Sequence, residues 1–152
     1  MANSQTKTLA DLVVAAIAAW SPTSPPWPTF TPAFRWVPVH KLETLTDLVV
    51  NVAPASMTGT PLARKYLDRE RDIAIQVAQK LVATESAAAT QIDNLLALVE
   101  QLDDYLFKTE SLRVLGAKFS LLKTTVHTFD WDLVYTKRCF HAVSALTFKS
   151  QE

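Results

Sequence analysis

The sequence predicts an α+β domain, in which two α-helices pack on one face of a mainly antiparallel β-sheet of four to five strands. Three observations support this fold class. In two segments, apolar residues recur every three or four positions, which is typical of amphipathic helices. In several others they alternate at a period of two, which is typical of strands. The element order α, β, β, β, α, β, β favours helices packed against a sheet.

The first helix is predicted at residues 9–20. Thr8 with Asp11 has the spacing of an N-terminal cap. The apolar stripe consists of Leu9, Leu12, Val13, Ala16, Ile17 and Trp20. Five prolines follow within residues 21–32, and each removes a backbone donor and fixes its φ. Residues 21–32 are therefore predicted to be a proline-rich connector, with Trp27 and Phe30 as anchors on the core.

Three strands are predicted after the connector. Residues 34–39 alternate in side, and Pro38 either ends this strand or confines it to a sheet edge. Residues 48–52 form the second strand, which Pro54 closes. Residues 73–78 form the third. Its β-branched face consists of Ile73, Ile75 and Val77.

A charged loop is predicted at residues 55–71, between the second and third strands. It is longer than a hairpin needs, and connections of this length are either functional or mobile. Its charged residues are Arg64, Lys65, Asp68, Arg69, Glu70 and Arg71. Two interpretations stay open: the loop reaches a partner, or it is a mobile tip.

The second helix is predicted to begin at Thr90, because Thr90 and Asp93 have the spacing of a capping box before a helical run of apolar residues. Its exposed side carries Glu100, Asp103 and Asp104. Acids near a helix C-terminus are unfavourable unless a cation lies nearby. They form either a solvated acidic face or a docking face for a basic neighbour.

Two more strands complete the prediction. One lies within residues 118–129, with Leu122, Thr124 and Val126 at a period of two. The last lies at residues 140–149. Its apolar face consists of Phe140, Ala142, Leu146 and Phe148.

The composition bounds the class of protein. The 152 residues suit one domain, at 1–152, and 15 basic residues balance 15 acidic ones. Without net charge, no long-range field attracts nucleic acid or an anionic membrane. No stretch reaches the roughly 18 apolar residues that span a bilayer. Asp11 interrupts any signal-like apolar region, so we expect folding in a cytoplasm, without nucleic-acid or membrane partners.

The sequence lacks motifs for catalysis or cofactors. Two glycines are too few for a dinucleotide fingerprint or a phosphate loop. His40, His127 and His141 lie far apart, and Cys139 has no CxxC partner. Cys139 and His141 would share a strand face, yet a metal would need a further ligand, such as His127. No nucleophile elbow is present, so we expect no enzyme, no cofactor and no metal.

One ordered set of segments covers nearly the whole chain. Its members are the helical Leu-Ala-Asp-Leu-Val-Val-Ala-Ala-Ile at 9–17, the aromatic and proline-bearing 30–39, the strands at 48–54 and 71–77, the helical 92–100 and the closing strand at 140–149. This order resembles the small neck and tail-completion proteins of tailed bacteriophages, most closely the tail terminator or minor tail type.

The resemblance implies a structural virion protein, assembled in the host cytoplasm and located in the tail or neck. Such a subunit commonly forms a six-fold ring, a hexamer, that terminates the tail tube and joins it to the head connector. Its partners would be other copies of itself, the tail tube protein and the neck proteins. A head-side stopper or portal adaptor stays open, as does a monomeric phage-encoded module that binds a host protein.

A ring requires two different patches on each subunit, and strand edges and long loops can supply them. The possible edge strand at 34–39 and the charged loop are therefore candidate contacts. The subunit-interface candidates are Arg64, Lys65, Asp68, Arg69, Glu70, Arg71, Arg35, Glu100, Asp103 and Asp104.

Overall fold

The computed structural model describes residues 4–20, 30–36, 47–63, 66–108, 114–115, 119–127 and 138–151. Two helices and six strands lie within these ranges. In chain order they are α1 (Gln5–Ala18), β1 (Ala33–Phe34), β2 (Val49–Ala63), β3 (Tyr66–Lys80), α2 (Glu85–Lys108), β4 (Val114–Leu115), β5 (Phe119–His127) and β6 (Cys139–Gln151).

The strands form one sheet in the spatial order β1-β2-β3-β6-β5-β4. β1 runs parallel to β2, and every other neighbouring pair is antiparallel. Both helices bury apolar residues against the same face of the sheet. The predicted α+β class is confirmed. Four strands are long, whereas β1 and β4 have two residues each.

The C-terminal strand β6 lies in the middle of the sheet. It pairs with β3 on one side and with β5 on the other. Its apolar face is buried in the core, as predicted, and consists of Phe140, Ala142, Leu146 and Phe148. The chain therefore completes its core only when its last strand inserts between two earlier ones.

Helix α1 begins earlier than the sequence predicts. Its N-cap is Ser4, whose Oγ accepts a hydrogen bond from the backbone N–H of Lys7 at 3.1 Å. The predicted cap of Thr8 with Asp11 is wrong, because the Thr8 hydroxyl donates to the Ser4 carbonyl and Asp11 binds the Lys7 ammonium at 2.6 Å. The buried stripe consists of Leu9, Ala10, Val13, Ala16 and Ile17.

Part of the predicted connector and first strand lies outside the described residues. Of residues 21–32 the structure describes only 30–32, and there Phe30 packs on the core beside Trp20, with 6.5 Å between ring centroids. Of the strand predicted at 34–39, only Phe34 is in a strand within the described part. β1 lies at the edge of the sheet, the position that the sequence favoured.

The predicted charged loop at 55–71 is wrong over its described residues. β2 continues from Val49 to Ala63 and pairs with β3 as a long hairpin. Pro54 does not end the strand, because a β-bulge shifts the register between Pro54 and Ser56. Charged residues are a poor indicator of a loop here, because one face of this part of the sheet is not covered by helices.

Helix α2 begins at Glu85, so the capping box predicted at Thr90 is wrong. The first turn closes where the N–H of Ala88 donates to the Thr84 carbonyl at 2.8 Å. Residues 87–89 are alanines, the strongest helix formers, and they extend the helix toward its N-terminus. Among the described helices, neither is long and apolar enough to cross a membrane.

Strand β5 contains a bulge that the period-two pattern did not reveal. The register against β6 shifts between Leu121 and Lys123. Phe119 and Leu121 therefore face the core, while Leu122 is exposed. The predicted stripe was correct for the strand but placed Leu122 on the wrong face.

The two helices contact each other at their C-terminal halves. The ring of Tyr105 in α2 stacks on Trp20, which follows α1, with 5.6 Å between centroids. The Tyr105 hydroxyl donates to the Ala16 carbonyl at 3.3 Å. This contact joins the helical layer across a large separation in sequence.

Candidate functional site

Residues 55–63 form the outer part of β2. We call it the β2 arm. Residues 55–61 are all exposed, and β2 carries no charged residue along its whole length. Four of the charged residues predicted as interface candidates, Asp68, Arg69, Glu70 and Arg71, lie instead on the paired strand β3. The arm therefore presents an uncharged edge next to a charged strand.

The side chain of Asp68 lies on the face of the sheet opposite the helices and pairs with Lys149 on β6 at 2.6 Å. Glu70 is exposed on the same face. The hydrogen bond and charge of Asp68, with a smaller contribution from Glu70, raise the pKa of Lys149 above its ordinary value of 10.5. Asp68 and Lys149 thus link two strands of the sheet.

The two described arginines of the predicted loop face the helical side of the sheet. Arg69 is half-buried, and its Nη1 lies 3.8 Å from the sulfur of Met57. Arg71 is 2% exposed. It donates to the hydroxyls of Thr6 and Ser150 at 3.3 and 2.8 Å. Arg71 is therefore buried among groups of its own fold, and its role as an interface candidate stays a prediction.

The remaining candidates on this side of the molecule are spread out. Arg64 and Lys65, between β2 and β3, lie outside the described residues. Arg35 is exposed next to β1, and its backbone N–H donates to the Val52 carbonyl at 2.8 Å. The described candidates from the predicted loop thus lie on β3, whereas Arg35 follows β1 at the edge of the sheet.

The acidic candidates lie on α2. Glu100 and Asp104 are exposed, and Asp103 is half-buried. Lys108, in the last turn, binds Asp104 at 3.1 Å and supplies the cation that the helix dipole favours. Both partners of this pair are exposed, so it contributes little to stability. The structure gives these acids a helix-terminal role and does not bring them onto the strands of the other candidates.

The face of the sheet opposite the helices carries a partly buried polar cluster that the sequence pattern did not reveal. Asp72 accepts hydrogen bonds from Ser56 and Thr147, each at 2.6 Å. The amide of Asn51 donates to that of Gln76 at 3.2 Å. The signal available in the sequence was the polar half of each alternating strand, which only the register assembles into pairs.

Gln76 continues this cluster to β6. Its Nε2 lies 3.0 Å from Nε2 of His141. Cys139 lies on the same face of β6 as His141, as predicted, and is buried. Within the described ranges, no three His, Cys, Asp or Glu side chains converge on a point that would suit a metal ion. The polar side chains of this cluster form hydrogen bonds with one another.

The chain was compared with protein-family models, curated proteins and solved structures. No protein-family model matches the chain, and no curated protein matches it. Among solved structures, it is similar to a chain in "Virion of native gene transfer agent (GTA) particle", with 12% identity and a TM-score of 0.38. The match covers 97% of this chain and 90% of that one. A likeness of this size carries no argument about fold or function.

Exposed apolar side chains occur at both edges of the sheet. Met57 is 53% exposed on the β2 arm, and Trp36 is 61% exposed just after β1. At the other edge, Leu122 of β5 is 45% exposed. Sequence reasoning missed Met57, although the uncharged run of β2 with its two prolines was a signal. The arrangement offers backbone hydrogen bonding and apolar contact to another chain.

Proposed function

We propose that this chain is a structural virion protein of a tailed phage, a ring-forming subunit that terminates the tail tube and joins it to the head connector. The resemblance in segment order supports the class of protein. The observation that carries the proposal is the β2 arm, whose residues 55–61 are exposed at the edge of a sheet without any charge. An uncharged strand edge is suited to contact with another protein.

The proposal is of a protein without catalytic activity. The polar residues on the face opposite the helices bond to one another, as Asp72 does to Ser56 and Thr147. The buried arginine, Arg71, is likewise engaged with side chains of the fold. These groups stabilise the sheet, and the exposed features are apolar or edge features, which suit assembly.

The test is the location of the chain in assembled particles. Virions carrying this protein should be imaged by electron microscopy, with antibody raised against the purified chain as the label. We expect label at the head-proximal end of the tail and density into which the fold fits as a ring. Label at the portal would favour the head-side stopper or adaptor, and absence from particles would overturn the virion role.

Light scattering of the purified chain gives an independent comparison. A strict monomer at high concentration, together with absence from particles, would favour the monomeric host-interaction module. A ring in solution, or monomers that become a ring on tail tubes, would support the proposed subunit. A host protein captured by the monomer would be the positive sign of the alternative.

A further inference from the structure

Within the described residues, a strand of only two residues pairs with each edge of the sheet. At one edge, β1 pairs only with residues 51 and 52 of β2. At the other, β4 pairs only with residues 119 and 120 of β5. Beyond these short strands, the structure describes no partner strand for the β2 arm or for residues 121–127. At each edge, the described strands thus leave backbone groups to which another strand could bond.

The backbone direction on β2 follows from one hydrogen bond. The N–H of Arg35 donates to the carbonyl of Val52 at 2.8 Å, so the backbone groups of Val52 point to the outer edge. Outward and inward residues alternate, which puts Pro54 outward. The bulge after Pro54 shifts the alternation by one residue, so Met57, Gly59 and Pro61 point outward.

The prolines define the usable length of this edge. The backbone nitrogens of Pro54 and Pro61 face the outer edge of β2. The N–H that proline lacks is therefore not needed for the hydrogen bonds between β2 and β3. The two prolines also deny a donor to any strand added there. Between them, Met57 and Gly59 present both N–H and C=O outward. The backbone groups of the β2 arm that can bond to an added strand therefore lie between Pro54 and Pro61. We call this stretch the open window of β2.

The direction of the backbone groups can be followed across the sheet along one row of paired residues. Val52 pairs with Ile75, Ile75 with Ser144, and Ser144 with Val126. The backbone N–H and C=O groups of Val52 point away from β3. Those of Ile75 therefore point to β6, those of Ser144 point back to β3, and those of Val126 point to the outer edge of β5. Thr124, two residues earlier, also points outward.

The strand directions decide how two copies can meet. β2 and β6 run one way, and β3 and β5 run the other. If a neighbouring copy is related by rotation about an axis parallel to the strands, its β2 lies antiparallel to β5 of the first copy. The helices of both copies then face the same side. This contact joins two different patches, as a closed ring requires.

We propose that the β2 arm of one copy adds to the β5 edge of the next, with Met57 opposite Val126 and Gly59 opposite Thr124. The occupant of each edge is thus a second copy of this chain. This interface rests on the proposed function, since it names the contact that would close the ring. In this register, Met57 and Gly59 of β2 each lie opposite an outward-pointing residue of β5, Val126 or Thr124. A shift of the register by two residues would leave one of these residues on each strand without its partner.

The residue types fit this register. Met57 pairs with Arg71 and Val126 with Ser144, so both positions lie on the helical side of the sheet. Position 58 then lies opposite position 125 in this register, and both positions hold a threonine. The β2 arm contains no charged residue, so Lys123 of β5 meets no like charge across the contact.

A disulfide test discriminates between arrangements of copies. Thr58 and Thr125 would form a non-hydrogen-bonded pair, with Cα atoms about 4.5 Å apart, which suits a disulfide. Thr58→Cys and Thr125→Cys are combined in a Cys139→Ala background and oxidised, both in purified chain and in particles. We expect a ladder of covalent oligomers that ends at the ring. Each single variant should stay uncrosslinked, and a mixture of the two should give dimers only.

The outcomes separate this interface from the proposed function. Dimers from Thr58→Cys alone would mean that β2 arms pair about a two-fold axis, and would overturn the proposal. Chain that is present in particles but forms no crosslink with both cysteines would overturn the interface and leave the virion role standing. Crosslinked rings of purified chain that is absent from particles would support the interface and overturn the virion role.

A backbone variant tests the same edge without cysteine. Gly59→Pro removes an outward N–H and leaves the β2–β3 ladder intact, so we expect loss of oligomers with an unchanged melting temperature. Gly59→Ala is the matched control, because it keeps the N–H and its Cβ meets only a flexible Leu67 methyl, at 3.3 Å. Oligomers that persist in Gly59→Pro, or vanish equally in Gly59→Ala, would contradict strand addition at this residue.

Discussion

The guanidinium of Arg71 donates from Nη1 to Oγ of Ser150 over 2.8 Å, and this bond joins β3 to β6 next to the first turn of α1. The same side chain donates from Nε to Thr6 and lies 5.7 Å from the ring centroid of Phe119. One charged residue thus contacts a helix and two further strands. A buried charge is tolerated only where its hydrogen bonds are made, so Arg71 organises this end of the core.

Replacing Arg71 with alanine should destabilise the fold. The change leaves the hydroxyls of Thr6 and Ser150 without this donor and opens a cavity in the core. We expect the free energy of unfolding to fall by about 2–4 kcal/mol. Chemical denaturation followed by circular dichroism measures this change.

Arg69→Ala is the matched control for Arg71. Arg69 has the same charge two residues earlier on the same strand, but it is only half-buried. Its loss should change the free energy of unfolding by about 0.5 kcal/mol or less. Equal losses for the two variants would contradict the structural role assigned to Arg71.

The Asp68–Lys149 pair should make stability depend on alkaline pH. The pKa of Lys149 is raised in the folded state, so its contribution is fully present below pH 10.5 and is lost as the pH rises through the raised value. Lys149→Met should remove this contribution. Denaturant unfolding of both proteins between pH 9 and about 12 should give curves that converge at high pH; parallel curves would contradict the linkage.

Removing the carboxylate of Asp72 should weaken the sheet. In Asp72→Ala, the hydroxyls of Ser56 and Thr147 lose their shared acceptor, and we expect a loss of about 1–3 kcal/mol in the free energy of unfolding. Ser56→Ala should cost less, because Ser56 is exposed and water can replace it. A larger effect at Ser56 than at Asp72 would be inconsistent with this cluster.

The hydroxyl of Tyr105 should contribute separately from its ring. Tyr105→Phe removes the hydrogen bond to Ala16 but keeps the stacking on Trp20, so a loss of about 0.5–1.5 kcal/mol is expected. Tyr105→Leu should cost more, since it also removes the aromatic pair. Thermal unfolding of both variants measures the two parts, and equal effects would show that only the hydroxyl matters.

The charged residues near the hairpin end give a prediction about assembly. A triple alanine variant of Arg64, Lys65 and Arg69 should lose incorporation into particles while keeping its melting temperature, if this region contacts a neighbour. Arg71 is left out of the set, because its burial would confuse assembly with folding. Normal incorporation of the triple variant would exclude a role for these charges.

Periodicity determined most elements but placed their ends poorly. Ile73, Ile75 and Val77 alternate cleanly, and this alternation correctly predicted a strand with one buried face. At helix starts, local cap patterns competed: Thr8 and Thr90 satisfied the pattern, yet each lies within a helix that begins earlier. A cap motif identifies where a helix can start, whereas neighbouring residues decide how far it extends.

The candidate site was harder to predict because charge was used as a sign of exposure. Arg71 and Glu70 are adjacent in sequence and equally charged in magnitude, yet one is buried and the other exposed. In a strand, adjacent side chains point to opposite faces, so only the register decides which of them meets the helical layer. The sequence did not predict the exposure of Met57, because this exposure depends on the same register.

The sequence by itself determined that this chain forms an α+β domain with two helices on a mainly antiparallel sheet, because the spacing of apolar residues is a local property. Tertiary structure alone decided that β6 lies between β3 and β5, that the described residues of the predicted charged loop belong to a hairpin, and that residues 55–61 are exposed on an outer part of the sheet. These features depend on which strands pair and in what register. Pairing follows from contacts between residues far apart along the chain, which no local pattern contains.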